Sequence, residues 1–453
     1  MTEPTPISVT AEDAPTTGRV WYRTTLYNAF VIGSVGFLAP GLWNAMNSLG
    51  AGGAETPYLV NAANALVFGL MGFLCLFGGP IANRIGMNWT LLLGVIGYPI
   101  YSAALYTNNR YGNEWFVLVG AVACGLSAGL FWASEGAVAL GYPEPAKRGQ
   151  YMNIWLWFRT GGPLLGSAIV LGLNHSAEAK KKGKVGSETY LIFVALQCLA
   201  APIAIFLTRP EKVQRGDGSK VKIVLQDSWA AEMKELWKLS CRKDVLLLLP
   251  VFWASYFNQY EGNFEVYYFG VRARALIGLV SYIGTLLSSW LISRFLDYKK
   301  LCVKNRIMYS FYYVVIVHII AWVYGRGLFV VILWEFSRQA LQNWMYYMIA
   351  TKTDNISELS RLSGILRGQE SFSQAVSYGL NTKEWFGGRV PLAVNTILLG
   401  LAVVPTWLAI RDHEPIEHES NDESQTKARD EEETSVNSGE KADYIVKQAP
   451  VAE

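Results

Sequence analysis

Twelve apolar stretches, each long enough to cross a bilayer, occupy the chain from about residue 25 to residue 410. They fall at about 25–46, 58–79, 89–107, 115–140, 151–173, 188–208, 245–268, 275–294, 306–324, 328–350, 362–381 and 389–410. A spanning helix needs about 20 mostly apolar residues, and a soluble chain has no reason to repeat that length so often. Hydrocarbon offers no hydrogen-bond partners, so each span must satisfy its own backbone as a helix. The expected fold class is all-α: a polytopic membrane protein with twelve transmembrane helices. Composition agrees, with 51% of residues hydrophobic and 17% charged. Residues 1–24 hold no apolar run, so the first span is expected to serve as the targeting signal.

Loop lengths divide the spans into two six-helix halves, 25–208 and 245–410, joined by a linker at 209–244. The linker is the most basic stretch of the chain, and the loops carrying Lys147–Arg148 and Lys299–Arg306 are basic too. Excess Lys and Arg marks the cytosolic side, which puts the linker and both termini there. The loop with Lys180, Lys181, Lys182 and Lys184 runs against this rule and is outvoted. Around Trp229–Trp237 the linker has the pattern of a short amphipathic helix on the membrane surface. Residues 1–24 and 411–453 are expected to be disordered cytosolic segments. The second holds thirteen acids against five bases and too little apolar surface to fold. The net charge of +3 therefore hides a strongly basic body, which suits an anionic leaflet. Its charges lie in loops beside spans, so the lipid bilayer is the expected partner and nucleic acid is not. Composition leaves open whether the membrane is the plasma membrane or an endomembrane such as the vacuole or endoplasmic reticulum.

The chemistry must come from what is polar inside the spans. A charged residue at a helix centre costs about 2.5–3.5 kcal/mol on insertion scales, so each needs a reason. Glu135 in span 4 and Arg159 in span 5 lie at similar depth, roughly 10–13 Å from the cytosolic end. They are expected to meet, either as a proton- or substrate-linked pair or as a structural bridge. Span 7 carries Asn258, Gln259, Glu261 and Glu265 near its outer end, read as a cavity wall or outer gate, or as a helix that frays at the interface. Asn44 in span 1 extends the same polar lining. Glu335 with Arg338, and Arg367 with Glu370, are spaced i,i+3, so each pair can neutralise itself on its own helix. His318 reads as a hydrogen-bonded packing residue. Gly125–Gly129 and Gly161–Pro163 read as close-packing sites. Of three Asn-x-Ser/Thr sequons, at Asn88, Asn174 and Asn355, only Asn174 falls outside the cell in this topology.

No phosphate-binding loop, nucleophile elbow or metal-ligand cluster appears. The five cysteines (Cys75, Cys124, Cys198, Cys241 and Cys302) have no disulfide or metal spacing. The chain is not expected to be an enzyme or to hold a cofactor. Without an ATP site, uphill transport must draw on an ion or proton gradient.

The run Pro40-Gly41-Leu42-Trp43-Asn44-Ala45 with Gly50–Gly53, and the run Phe131–Gly136 followed by Tyr142-Pro143 and Arg148-Gly149, resemble the Unc-ninety-three-like branch of the major facilitator superfamily. Val271–Leu276 is similar to the version common in fungi. The resemblance covers about residues 20–410. It implies the major facilitator fold, two halves related by parallel repetition with a site near the midplane between them. A Trp in one span followed by an Arg in the next, Trp132 with Arg159 and Trp344 with Arg367, hints at that repeat. The chain departs from the superfamily pattern after span 2: Asn83 stands where the pattern has an acid, and Met87-Asn88 where it has a basic pair. The expected function is a secondary transporter of an unknown small molecule, working by alternating access and driven by an ion or proton gradient, with proton coupling one option. The alternative is a non-transporting regulatory or scaffold subunit of a channel or trafficking complex. Buried unlike charges favour the first reading; regulatory relatives and the altered loop favour the second.

Overall fold

Proline and glycine decide where the first span bends. Pro40 has no backbone N–H to continue the ladder, and the helix Thr25–Gly36 (α1) widens into a π turn over Phe37–Gly41 before resuming as Leu42–Ser48 (α2). Thr24 caps the start, its hydroxyl accepting from Tyr27 N at 3.2 Å. The computed structural model describes residues 7–8, 18, 20–48, 57–173, 187–258, 261, 269, 271–323, 329–380 and 389–413.

The first half continues with Pro57–Ile85 (α3), Met87–Tyr111 (α4), Trp115–Gly141 (α5), Arg148–Leu173 (α6), Ser187–Cys198 (α7) and Ala200–Ile205 (α8). Gly86, at φ +95°, makes the tight turn from α3 to α4. The linker carries one amphipathic helix, Trp229–Ser240 (α9), capped by Ser228. The second half holds Lys243–Leu246 (α10), Leu249–Ser255 (α11), Val271–Leu296 (α12), Val303–Val323 (α13), Phe329–Ala350 (α14), Ile356–Leu380 (α15) and Arg389–Arg411 (α16). Helices thus stand at every expected span, although the seventh is described only as far as residue 258 and at Glu261. Seven of the described helices are long and apolar enough to cross a membrane. Some helices miss that mark by length, and α15 misses it because it carries polar groups to hide. On α15 alone, Ser360, Arg361, Arg367, Glu370, Ser373 and Ser377 are all buried. On α4 and α5 the exposed residues are apolar instead, among them Leu93, Ile96, Ile100, Leu118 and Val122. Polar residues face the protein and apolar ones face outward, as lipid demands.

Glycines let the helices touch. A Cβ on Gly125 would lie 2.7 Å from Val67 O, and one on Gly129 would lie 2.6 Å from the Leu74 side chain. Gly162 meets Gly41 and Phe37 O at similarly close range. These are packing sites. The same device joins the halves. Gly72 faces Phe372, Gly79 faces the Arg361 backbone, Gly364 faces Cys75 O and Gly368 faces Leu76. The α3–α15 seam therefore runs along most of both helices.

At its described residues the chain before the first span is tied to the linker, where a disordered segment was expected through residue 24. Ile7–Ser8 (β1) pairs antiparallel with Val224–Leu225 (β2) of the linker, and Trp21–Arg23 forms a 3-10 turn. Val20 N donates to Gln214 Oε1 at 2.8 Å, and Thr208 Oγ1 donates to Tyr22 O at 2.7 Å. Pairing with the linker satisfies backbone groups that a free tail would leave to water.

Candidate functional site

Glu135 and Arg159 share one cluster but do not form the direct bridge expected of them. Trp155, one helical turn from Arg159 on α6, lies between. Its indole N–H donates to Glu135 Oε1 at 2.7 Å, and the Arg159 guanidinium carbon sits 5.4 Å from the Trp155 ring centre. Similar depth brought the two residues together; rotation about the helix axes, which depth does not set, put an indole in the gap. Gly36 makes room for the carboxylate, because a Cβ there would lie 2.7 Å from Glu135 Oε1. Glu135 Oε2 and Arg159 Nη1 are both buried without a hydrogen-bond partner.

Arg159 reaches across to the other half instead. Its Nη2 donates to Gln342 Oε1 on α14 at 2.5 Å, and the Tyr256 hydroxyl donates to the same oxygen at 2.8 Å. Arg367 on α15 pairs with Glu370 at 2.5 Å, as its i,i+3 spacing implied, and Ser255 donates to the other oxygen of Glu370 at 3.2 Å. Arg367 also crosses the seam, its guanidinium carbon 3.9 Å from the Trp132 ring centre, while Arg159 lies 5.2 Å from the same ring. Trp132, from the first half, thus holds one guanidinium from each half by cation–π attraction. Arg159 and Arg367 each lie eleven residues from the linker-facing start of their helices, Arg148 and Ile356. At 1.5 Å per residue that is about 16 Å, near the middle of a bilayer.

A second polar region lies beside it. Asn258 and Glu261 line a small cavity with His318, Trp334, Arg338 and Asn395. Arg338 pairs with Glu335 and stands 5.2 Å from the Tyr256 ring, so the two regions share Tyr256. His318 Nδ1 bonds Val314 O at 2.9 Å, a packing role. Asn44 is half-buried on α2 beside Trp43, which packs on Phe68. Gln259, Glu265 and Asn174 lie outside the described residues. Asn88 and Asn355 are engaged by main chain, Asn88 donating to Leu207 O and Asn355 accepting from Val224 N.

Sequence reasoning gave no individual role to Trp155, Gln342 or Tyr256, and quoted Trp132 only as part of a motif. A polar or amphipathic side chain amid an apolar run was the available signal. The hint of a repeated Trp–Arg pair does not extend to roles, because Trp344 packs on Phe311 and donates to Ile307 O at 3.0 Å, away from Arg367.

The family model of the Major Facilitator Superfamily matches residues 24–378. The chain belongs to this superfamily. Within it the chain falls in the UNC93-like branch. It is 27% identical over 403 residues to an UNC93-like protein of Schizosaccharomyces pombe, covering 80% of this chain and 77% of that protein. It is 37% identical over 419 residues to the Notoamide biosynthesis cluster protein O' of Aspergillus versicolor, covering 87% of this chain and 90% of that one. Among solved structures, the outward conformation of FucP has a TM-score of 0.61 at 13% identity, covering 85% of this chain and 98% of FucP. The human organic anion transporter MFSD10 has a TM-score of 0.61 at 14% identity, covering 86% of this chain and all of that one. These likenesses establish the fold: a multi-pass membrane protein built as superfamily transporters are.

Proposed function

We propose that the protein is a gradient-driven secondary transporter whose small-molecule substrate carries an anionic group, bound where Arg159, Trp132 and Gln342 meet. The observation that carries this reading is Arg159. Among the described residues it is a buried cation with no carboxylate in ion-pair range, one neutral oxygen for a partner and one nitrogen left bare. An unpaired buried charge is costly, and within a membrane it marks a functional site by default. A carboxylate or phosphate on the substrate would complete its planar fork. Trp132 and Tyr256 supply the flat apolar walls that small-molecule sites use around a few polar anchors. Glu135, with one bare oxygen close by, is the group that takes up the coupled proton. Charge entering with the anion is then matched by the proton.

Alternating access follows from the cluster's place on the seam. Arg159–Gln342 and Arg367–Trp132 both cross between halves, so bound anion and bound proton bear on contacts that rocking must break. The test is ligand-dependent stabilisation of the purified protein against a panel of organic anions, followed by uptake into proteoliposomes under an imposed pH gradient. Anions that stabilise the parent but not Arg159→Gln, and enter only with the gradient, support the reading. A panel that stabilises neither favours a non-transporting subunit, a reading that the heavily locked linker face also suits. Excess Lys and Arg in the loops of that face supports a cytosolic linker and cytosolic termini, and on this reading a reporter after residue 411 should resist external protease in intact cells.

A further inference from the structure

We propose that the linker helix α9 supplies the gate acid that α3 lacks at Asn83, with Glu232 holding the linker face shut between α3 and α15. The pattern of α9 is that of a surface helix: Leu236 and Leu239 are buried, while Lys234, Trp237 and Lys238 are exposed. Such a helix has no reason to bury a carboxylate. Yet Glu232 is wholly buried on the inward face, and both its oxygens are occupied. Arg361 of α15 donates through Nη2 to Oε1 and through Nε to Oε2, each at 3.0 Å, the parallel two-point contact that guanidinium and carboxylate form best. Asn83 of α3 donates to Oε2 at 3.4 Å and to Ser357 O at 3.2 Å. One carboxylate, belonging to neither half, therefore joins the two.

The surroundings make this a lock rather than a chance contact. A Cβ on Gly79 would lie 2.8 Å from Arg361 Cα, so α3 and α15 meet backbone to backbone at this level. The linker grips both helix ends. Arg84 Nη1 donates to Gln226 O at 3.1 Å, Val224 N to Asn355 Oδ1 at 3.1 Å, and Ile356 N to Lys222 O at 3.0 Å. Opening the linker face must part α3 from α15 and so strip Glu232 of one partner. Arg361 holds it by two charged bonds and Asn83 by one long neutral bond. The face therefore parts between Glu232 and Asn83, and α9 travels with the second half. An acid at position 83 would do this job within the bundle. Here it is done by a helix whose other face is exposed, so whatever moves α9 moves the gate.

The test follows accessibility, not transport, so it stands or falls apart from the anion reading. In full-length protein with its five native cysteines replaced by serine, Ser360→Cys places one thiol in the α3–α15 seam. Proteoliposomes are treated with a membrane-impermeant maleimide on both faces. Glu232→Gln should label at least ten-fold faster than the parent. Adding Asn83→Asp to Glu232→Gln should return labelling to the parental rate, since the acid is then back on α3 beside Arg361. A merely structural role for Glu232 would not be rescued from another helix. Parental labelling in folded Glu232→Gln overturns the proposal. If that variant does not fold, the exchange Glu232→Arg with Arg361→Glu decides: slow labelling supports the lock, and fast labelling of a monodisperse protein overturns it.

Discussion

Two charge clusters lie on the seam between the halves, and they are built on opposite rules. At the linker face Glu232 and Arg361 are matched oxygen for nitrogen, and Arg148 donates to Asp354 at 3.0 Å and to Ala350 O at 2.5 Å. At mid-depth Glu135 and Arg159 stand in one cluster with an indole between them and a bare polar atom on each. A closed ion pair contributes specificity to one arrangement of the helices; a half-satisfied one leaves chemistry for something else to complete. The difference teaches which charges to treat as locks and which as places to bind.

The sharpest way to break the comparison is to make a matched charge unmatched. Glu370→Ala leaves Arg367 buried beneath Trp132 without its carboxylate. Breaking such a pair costs about 3–5 kcal/mol, seen as a large fall in the detergent melting midpoint. Arg159→Gln removes no carboxylate's hydrogen-bond partner, so its midpoint without ligand should move less. What it should lose is stabilisation by substrate, about 2.7 kcal/mol at a hundredfold excess over Kd. Equal damage from both substitutions would mean that matched and half-satisfied charges on this seam are not different in kind.

A smaller effect separates seam packing from lipid-facing surface. Gly364→Ala drives a Cβ into the carbonyl of Cys75 across the seam. Overpacking of this sort costs about 1–3 kcal/mol, and here it also spreads α3 from α15. Gly400→Ala has nothing within 4 Å of the added carbon and should be neutral or slightly stabilising, since Ala is the better helix former. Melting midpoints of the two variants, measured side by side, check this.

The spanning helices were legible because hydrophobic length needs no tertiary context. The Arg367–Glu370 pair was legible because i,i+3 spacing puts both residues on one helix face. The Glu135–Arg159 geometry was only half legible: sequence gives height along a helix but not its rotation against a neighbour, and Trp155 took the place of a direct bridge. Glu232 was hidden for another reason. It sits in a basic, polar stretch that reads as solvated surface, and only the meeting of α3 with α15 shows where its carboxylate goes. Likewise the tie between Ile7–Ser8 and Val224–Leu225 is carried by main chain, which side-chain composition does not encode.

The finest test concerns two carboxylates of the linker face that respond oppositely to pH. Asp297 follows α12, and its Oδ1 accepts from Gly149 N at the start of α6 at 3.1 Å, so it is another tie between halves. Burial pushes its carboxyl up to about 6, against the lowering pull of the Gly149 and Gln150 N–H groups and of Arg306 and Arg294. For Asp244 burial also pushes upward, but hydrogen bonds from Arg242 and Lys352 outweigh it and hold the carboxyl well below the usual carboxylate range. An unfolded Asp titrates near 3.9. Between about pH 4 and pH 6, folded Asp297 therefore keeps a proton that the unfolded chain has released, and raising pH through that window lowers stability. Above about pH 6 both states have lost it and the slope vanishes. Asp244 is ionised in both states across the same window and contributes no slope there. The parent's melting midpoint should thus fall from about pH 4.5 to pH 6.5 relative to that of Asp297→Asn, whose amide oxygen still accepts from Gly149. Asp244→Asn should instead lower the midpoint by a similar amount at both pH values. Parallel pH profiles for the parent and Asp297→Asn would remove Asp297 from the pH-sensitive side of the comparison and leave the linker face with permanent locks alone.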